Sequence, residues 1–494
     1  MFLASNSLFG VNYLLNKFIF HDIIILTKFC LYRFKYKRKK VDDLAYTFKG
    51  GMHVREYKNT ANCAIERVPA PKTVAIPLAQ HIGVPCKPVV AAGDYVTYGQ
   101  VIGEIESGLG CPVHASVSGK VLEIKVVINS VGTPIEHVVI ENDYEYKRGE
   151  ELKPFPKPLA EATPEELIEV ARKAGISGMG GATFPTYAKL AGAIGKADTL
   201  IINCAECEPF ITANHRLMVE QPEAVIRGTE IMRHALGLSE GYLAVEDNKP
   251  DAIAALNKYI SENSLPLKVV VMKTKYPQGD ERQIMYALFG KELAPGKLPA
   301  DIGCVIFNAE TCAAMERAFY NGTPLVKRVV TVDGDCVKEP KNIFAHTGTS
   351  FLDLIDYCGG LKKVPHKIVN GGPMMGNAQW NINGVVTKGT SAILVFSEEF
   401  DEQTSLPEGD CIRCGRCVKN CPMHLMPNYL ALYSRNLNFG EAEKMGAMSC
   451  VECGTCSYNC PAQIPIVQYI RNAKADIRAE MAKKRAAEQA AKAK

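Results

Sequence analysis

The sequence predicts a multidomain chain of α/β and α+β units that ends in a helical, metal-ligating domain. Three observations lead there. At 494 residues, with 47% hydrophobic and 22% charged residues, the chain is too long for one core and has an ordinary globular composition, which suggests roughly three to four domains. Between about 163 and 319, capped helical stretches alternate with apolar strands, the pattern of a layered α/β fold. Near the C-terminus, eight of the eighteen cysteines fall into two runs of one spacing: Cys411-x-x-Cys414-x-x-Cys417-x-x-x-Cys421-Pro422 and Cys450-x-x-Cys453-x-x-Cys456-x-x-x-Cys460-Pro461.

Residues 1–46 read as a basic, apolar leader. Residues 1–40 carry eight Lys/Arg against one Asp, so the net charge of +4 belongs to this segment and the body is slightly acidic. Nothing in that body asks for nucleic acid. Lys17, His21, Asp22 and Lys28 interrupt the apolar stretch, and no clean run of about 18 apolar residues remains to span a bilayer. Its charges follow the apolar part rather than precede it, unlike a signal peptide. Two readings stay open: a membrane-surface helix with a basic flank, or a stretch with no structural role, which is favoured.

Residues 47–150 alternate as half-buried strands with glycine punctuation: Val89 to Val96, Gly99 to Ile105 and Pro112 to Val121. They resemble the biotinyl/lipoyl-type barrel-sandwich hybrid. Such domains carry a modified lysine at a hairpin tip, whereas Glu106-Ser107-Gly108-Leu109-Gly110 has none, so the domain reads as structural or docking. His114 reads as a strand histidine. A proline-marked linker follows (Pro154, Pro156, Pro158), and Thr163-Pro164-Glu165-Glu166 has the cap, first-turn proline and acidic residues of a helix start.

The α/β unit, residues 160–322, holds a glycine loop, Gly175-x-x-Gly178-Met179-Gly180-Gly181-Ala182-Thr183-Phe184-Pro185-Thr186-x-x-Lys189. Glycines at this density let backbone N–H groups close on a phosphate. The spacing is not the dinucleotide fingerprint Gly-x-Gly-x-x-Gly. Three islands place amides and carboxylates beside strand ends: Asn203-Cys204-Ala205-Glu206-Cys207-Glu208-Pro209, Tyr276-Pro277-Gln278-Gly279-Asp280-Glu281 and Phe307-Asn308-Ala309-Glu310-Thr311. Cys204 and Cys207 have no thioredoxin-like context and read as pocket-wall cysteines. Residues 323–380 read as a smaller α+β unit, opening with Val329-Val330-Thr331-Val332-Asp333-Gly334, where Asp-Gly signals a hairpin turn.

In residues 400–472 each cysteine run has the spacing that wraps a cubane iron–sulfur cluster, the fourth cysteine reaching the other cluster. Cys411, Cys414, Cys417 and Cys460 therefore pair around one [4Fe-4S] centre, and Cys450, Cys453, Cys456 and Cys421 around the second. Zinc takes four ligands, usually as two separated pairs, and fits two identical four-cysteine runs poorly. The scattered remaining cysteines point to a reducing compartment. Residues 473–494, rich in Ala, Lys, Arg and Glu, read as a charged helical tail.

The glycine loop resembles that of the NADH-binding, FMN-carrying subunit of respiratory complex I, and the Asn203 and Asn308 islands match that family too. The whole order over about residues 47–470 is similar to the RnfC family, a component of the Rnf complex, which is an ion-translocating ferredoxin:NAD+ oxidoreductase of bacterial membranes. It comprises a barrel-sandwich hybrid, a complex I flavoprotein-like α/β domain, a β-grasp (SLBB-like) unit with Gly371-Gly372-Pro373-Met374-Met375-Gly376, and a two-[4Fe-4S] ferredoxin-type domain. The resemblance implies that Gly178, Gly180, Gly181 and Lys189 hold the FMN phosphate and ribityl chain. It also implies that Asn203, Glu206, Asn308 and Thr311 line the flavin. Phe184 would stack on the nucleotide, with Glu208, Gly279 and Glu281 nearby. No protein acid or base is needed for hydride transfer at FMN. Three positions depart from the complex I pattern: Met179 replaces a loop arginine, and Thr183 and Phe210 replace glycines.

What this implies is a peripheral subunit at the cytoplasmic face of the bacterial membrane. It would pass electrons between NAD(H), FMN and two [4Fe-4S] clusters, docked on other Rnf subunits, with ferredoxin reached directly or through another of them. Two alternatives remain open at this point: a flavin and iron–sulfur cobalamin reductase, and a non-enzymatic electron-relay scaffold.

Overall fold

The computed structural model describes residues 45–150, 152–401 and 406–492; residues 1–44 of the leader therefore lie outside the described residues, and Tyr46 bridges to Met272 of the α/β unit. Residues 73–142 form two small sheets around a shared core. One is four-stranded and antiparallel, in the order Thr73–Pro77, Pro134–Asn142, Gly119–Ile128, Tyr95–Val96. The other is three-stranded, with Val101–Glu104 between Lys87–Pro88 and Val113–His114. Alternate residues Val74, Ile76, Val138 and Ile140 point inward with Val96, Ile102, Val113 and Val121, as period-two strands require. The expected strand Val89 to Val96 is cut short to Tyr95–Val96. Residues 91–94 form a turn, because the Ala91 N–H binds the Asp94 carboxylate at 2.7 Å and the Asp94 N–H binds the Ala91 carbonyl. The side-chain turn breaks the strand there, and the Val89 side chain is left exposed although its N–H donates to the Ile102 carbonyl at 3.0 Å.

The α/β unit starts at the helix Pro164–Lys173, whose capping box between Thr163 and Glu166 forms as the sequence indicates. Its sheet is wholly parallel, in the order Leu267–Met272, Gly241–Glu246, Thr199–Cys204, Cys304–Asn308. These strands are apolar on both faces (Leu200, Ile201 and Ile202 are fully buried) because helices cover both sides. From Thr199–Cys204 the chain steps outward twice in one direction, then crosses back to add Cys304–Asn308 on the other flank. The carboxyl ends of those two strands thus make a topological switch point, where open α/β sheets leave a ligand crevice.

The third unit is a six-stranded mixed sheet in the order Ile65–Arg67, Lys341–His346, Lys327–Asp333, Ala392–Phe396, Lys367–Asn370, Asn377–Gln379. Two of its strands, Ile65–Arg67 and Ala392–Phe396, come from outside 323–380. Asp333-Gly334 does open the turn, but a seven-residue connection rather than a two-residue hairpin joins Lys327–Asp333 to Lys341–His346.

The C-terminal unit is helical. Its core unites Leu430, Ala431, Ala442 and Ala447 with Ile466, Ile470, Ala473 and Ile477. The last four belong to one 27-residue helix, Ile466–Lys492, so the first two turns of the charged tail are packed before the exposed remainder begins. The two cysteine runs repeat a backbone device 39 residues apart. Arg413 and Glu452, Gly415 and Gly454, and His424 and Gln463 all have positive φ. No helix among the described residues is long and apolar enough to cross a membrane.

Candidate functional site

The switch point gathers most of the expected flavin residues. Asn203 and Asn308 end adjacent strands in register. The Asn203 amide donates to the Gly279 carbonyl at 2.7 Å, and Asn308 caps the helix Ala309–Asn321 by accepting from the Glu310 N–H. The glycine loop closes over them. The Gly178 N–H donates to the Phe184 carbonyl at 2.9 Å and the Met179 N–H to the Thr311 hydroxyl at 3.0 Å. A Cβ on Gly180 would lie 2.6 Å from the Asn308 amide nitrogen, so only glycine lets the loop approach this closely. The amides of Gly180, Gly181 and Ala182 form no hydrogen bond to any described residue. Consecutive free N–H groups on exposed loop backbone are the donor set a phosphate uses, so the loop fits the phosphate end of FMN.

Other expected residues are placed differently. Lys189 is held in an ion pair with Glu281 (2.5 Å), its ammonium 5.5 Å from the Phe307 ring centre. The Glu206 carboxylate does not face the crevice as a free group. It accepts from the Asn214 and His215 N–H groups and caps the helix Ala213–Glu220. Glu208 accepts from the Met374 and Met375 N–H groups of the Gly371–Gly376 loop, both at 3.0 Å. Burial pushes its carboxyl up to about 7 despite those two donors. Phe184 is 38% exposed at the mouth, free to stack.

The three departures from the complex I pattern have physical accounts. Thr183 (φ +54°) and Phe210 (φ +68°) keep the left-handed backbone that glycine adopts freely. Each carries strain of about 1–3 kcal/mol. Phe210 is held by a stacked Tyr57 ring 4.7 Å away. Thr183 is held by the Ile82 N–H, which donates to its carbonyl at 3.3 Å. Met179, in place of the arginine, is buried in the core.

Lys58 gave no signal in the sequence, whereas Gln278 and Cys207 lie in the islands beside the strand ends. Lys58 donates to the carbonyls of Glu206, Glu208 and Ile211 at 2.7–2.9 Å and clamps the Cys204–Pro209 turn. Gln278 is fully buried with neither end of its amide partnered, as in sites built around a bound polar group. Cys207 accepts the Gly279 N–H, and no disulfide forms among the described cysteines. The cavity beyond it, about 400 Å³, is lined by Lys58, Glu206, Cys207, Glu246 and Tyr276. His114 is a buried strand histidine, as expected, with an unpartnered Nδ1.

Cys421, Cys450, Cys453 and Cys456 wall one cavity together with apolar Leu425, Val467 and Ile470. These are the four that the spacing pairs. Burial pushes the Cys450 thiol up to about 11, with the Cys453 and Cys421 sulfurs beside it adding to the shift. No three described side chains converge as ligands of a single ion; four thiols lining one pocket in the cubane spacing are the donor set of a cluster. Of the other set, Cys417 and Cys460 are neighbours, while Cys411 and Cys414 are exposed. The inner cavity adjoins the flavin crevice, since the buried Tyr276 hydroxyl donates to the Cys453 carbonyl at 2.7 Å.

Comparison with known proteins agrees with this geometry. Residues 46–145 match the model of the RnfC barrel sandwich hybrid domain, 171–317 the Nuo51 FMN-binding domain, 329–378 the SLBB domain and 410–464 the 4Fe-4S dicluster domain. The chain is 44% identical to the C subunit of the proton-translocating ferredoxin:NAD(+) oxidoreductase complex of Clostridium ljungdahlii, over 88% of this chain and 94% of that one. It is 43% identical to the Na(+)-translocating counterpart of Acetobacterium woodii, over 88% and 98%. It is 40% identical to the corresponding member of the ion-translocating oxidoreductase complex of Rhodobacter capsulatus, over 89% and 85%. The chain belongs to the RnfC family. As a family member it has the Nuo51-type flavin crevice and the dicluster domain in one body. Lys58, Ile82, Arg328 and Lys388, which brace that crevice, all lie outside the 171–317 match.

Proposed function

We propose that this chain is the NAD(H)-reacting subunit of an ion-translocating ferredoxin:NAD+ oxidoreductase, held peripherally at the cytoplasmic face of the membrane by the other Rnf subunits. Ferredoxin is reached directly or through one of them. The observation that carries the reading is the switch-point crevice with its free loop amides, joined through Tyr276 to a cavity walled by four cysteines. FMN held there would supply hydride acceptance from NADH and one-electron release, and [4Fe-4S] clusters held by the cysteines would supply one-electron acceptors.

The chain's own residues then divide the work. Gly178, Gly180 and Gly181 bind the flavin phosphate, and Asn203, Gly279, Asn308 and Thr311 shape the crevice floor. Lys189 reaches the flavin with its charge shared by Glu281, while Glu206 and Glu208 act on it by fixing the turn between them. Phe184 receives the nucleotide. Cys421, Cys450, Cys453 and Cys456 hold the inner relay point, shielded from water. Cys411, Cys414, Cys417 and Cys460 hold the outer one, where Cys411 and Cys414 are exposed.

Anaerobic NADH oxidation by the reconstituted chain, with a viologen as one-electron acceptor, tests this. Activity that requires added FMN is expected. No activity with both clusters assembled and FMN bound would refute it.

A further inference from the structure

The glycine loop is pinned from behind by two units that are not part of the flavin fold. Three of its carbonyls, spaced along its length, each accept a donor from outside residues 171–317. The Gly175 carbonyl accepts the Lys388 ammonium at 2.7 Å. The Met179 carbonyl accepts the Arg328 guanidinium at 3.3 Å. The Thr183 carbonyl accepts the Ile82 N–H at 3.3 Å. Lys388 and Arg328 are each about 1% exposed, and they are tied to one another and to the barrel-sandwich unit. Arg328 donates to the Lys388 carbonyl at 2.6 Å, the Lys388 N–H donates to Gln80, and the Lys388 ammonium also donates to the Pro112 carbonyl at 2.8 Å. Arg328 is neutralised by Glu310 at 2.8 Å. Lys388 has no carboxylate partner among the described residues, so its charge rests on the Pro112 and Gly175 carbonyls and, at 3.9 Å, the Cys111 sulfur.

A donor on a peptide carbonyl polarises that unit, so chains of such bonds strengthen one another. Only the Met179 carbonyl shares a peptide unit with one of the free amides, that of Gly180, so Arg328 polarises it directly. Lys388 and the Ile82 N–H instead fix the backbone on either side of the free Gly180, Gly181 and Ala182 amides. We propose that Lys388, Arg328 and the Ile82 N–H are positioning groups for the flavin phosphate, contributed by the barrel-sandwich and β-grasp units, so that phosphate affinity depends on the docking of three units. This rests on the reading that the glycine loop holds that phosphate. It also explains how the loop dispenses with its arginine: a guanidinium reaches the Met179 carbonyl from the neighbouring sheet instead.

The test is flavin binding by the full apo-chain, with FMN and riboflavin titrated in parallel and followed by quenching of flavin fluorescence. Lys388→Met removes the cation while keeping an unbranched apolar stem one atom shorter. Ile82→Pro removes only a backbone donor at an exposed loop. Lys388→Met is expected to weaken FMN about ten- to a hundredfold, the range for a lost charge-assisted bond. Ile82→Pro is expected to weaken it about threefold or more, and riboflavin affinity should stay within twofold in both. Equal loss for both flavins, or unchanged FMN affinity in a folded variant, overturns the proposal. Should Lys388→Met fail to fold, Ile82→Pro decides by the same criterion. If the unmutated chain binds FMN no better than riboflavin, the phosphate reading itself fails, a result distinct from the other two.

Discussion

Tyr276→Phe isolates the contact between the flavin crevice and the inner cysteine cavity. The ring is 1% exposed, and its hydroxyl donates to the Cys453 carbonyl at 2.7 Å. Phenylalanine keeps the ring's packing and removes one bond, leaving a buried carbonyl unpaired at about 1–3 kcal/mol. That is a factor of about 5 to 150 in the equilibrium holding the cluster unit against the α/β unit. The two backbone bonds between Met52 and Tyr276, both 2.8 Å, remain, so global folding survives and the loss is local. Rapid mixing of the reconstituted chain with NADH, followed by bleaching of cluster absorbance, should show slower cluster reduction. Flavin reduction should proceed at its normal rate, with FMN and iron contents unchanged. If the bleaching rate is unchanged and the cluster unit melts within half a degree of the parent, Tyr276 is not the junction and the reasoning fails.

Cys421→Ser should lower iron from about eight to about four per chain and abolish NADH-to-viologen transfer, because Cys421 shares its cavity with Cys450, Cys453 and Cys456. Iron loss with the paramagnetic signal of the inner centre intact would contradict the pairing. Glu310→Gln leaves the buried Arg328 charge uncompensated and should cost about 3–5 kcal/mol, seen as a melting point lowered by several degrees; a shift under one degree would refute it. Glu208 is pushed from its ordinary 4.5 up to about 7 by burial. Between those values the folded chain keeps a proton that the unfolded chain has lost, so stability falls as pH rises from 4.5 to 7. Glu208→Gln should flatten that slope, and an unchanged slope in melts across the window would refute it.

The legible parts of this chain are those where function depends on spacing within one segment. Two cysteine runs are local, and the structure closes Cys421 with Cys450, Cys453 and Cys456 as that spacing requires. The glycine loop and the asparagine islands are local too, and Asn203 and Asn308 meet across adjacent strands. What could not be read is what side chains do once tertiary neighbours arrive. Glu206 sits in a flavin-like motif, yet its carboxylate is consumed as a helix cap by residues 214 and 215. Lys58 and Arg328 brace the site from about 150 positions away and Lys388 from 213, where no motif carries them.

The misread stretch at 91–94 has the same origin in reverse. Alternating Val89 to Val96 satisfies the strand pattern, but Asp94 supplies a turn that the pattern does not weigh. The two lost glycines are the more telling case. At Thr183 and Phe210 a missing glycine suggests a lost conformation, and the structure shows the conformation kept at positive φ. Neighbouring units bear the strain, the Ile82 N–H on one and the Tyr57 ring on the other. The same arrangement accounts for the absent arginine. In a chain whose units pack into one body, a motif residue can be replaced from outside the motif. A departure in sequence is therefore weak evidence against a site until its three-dimensional neighbours are known.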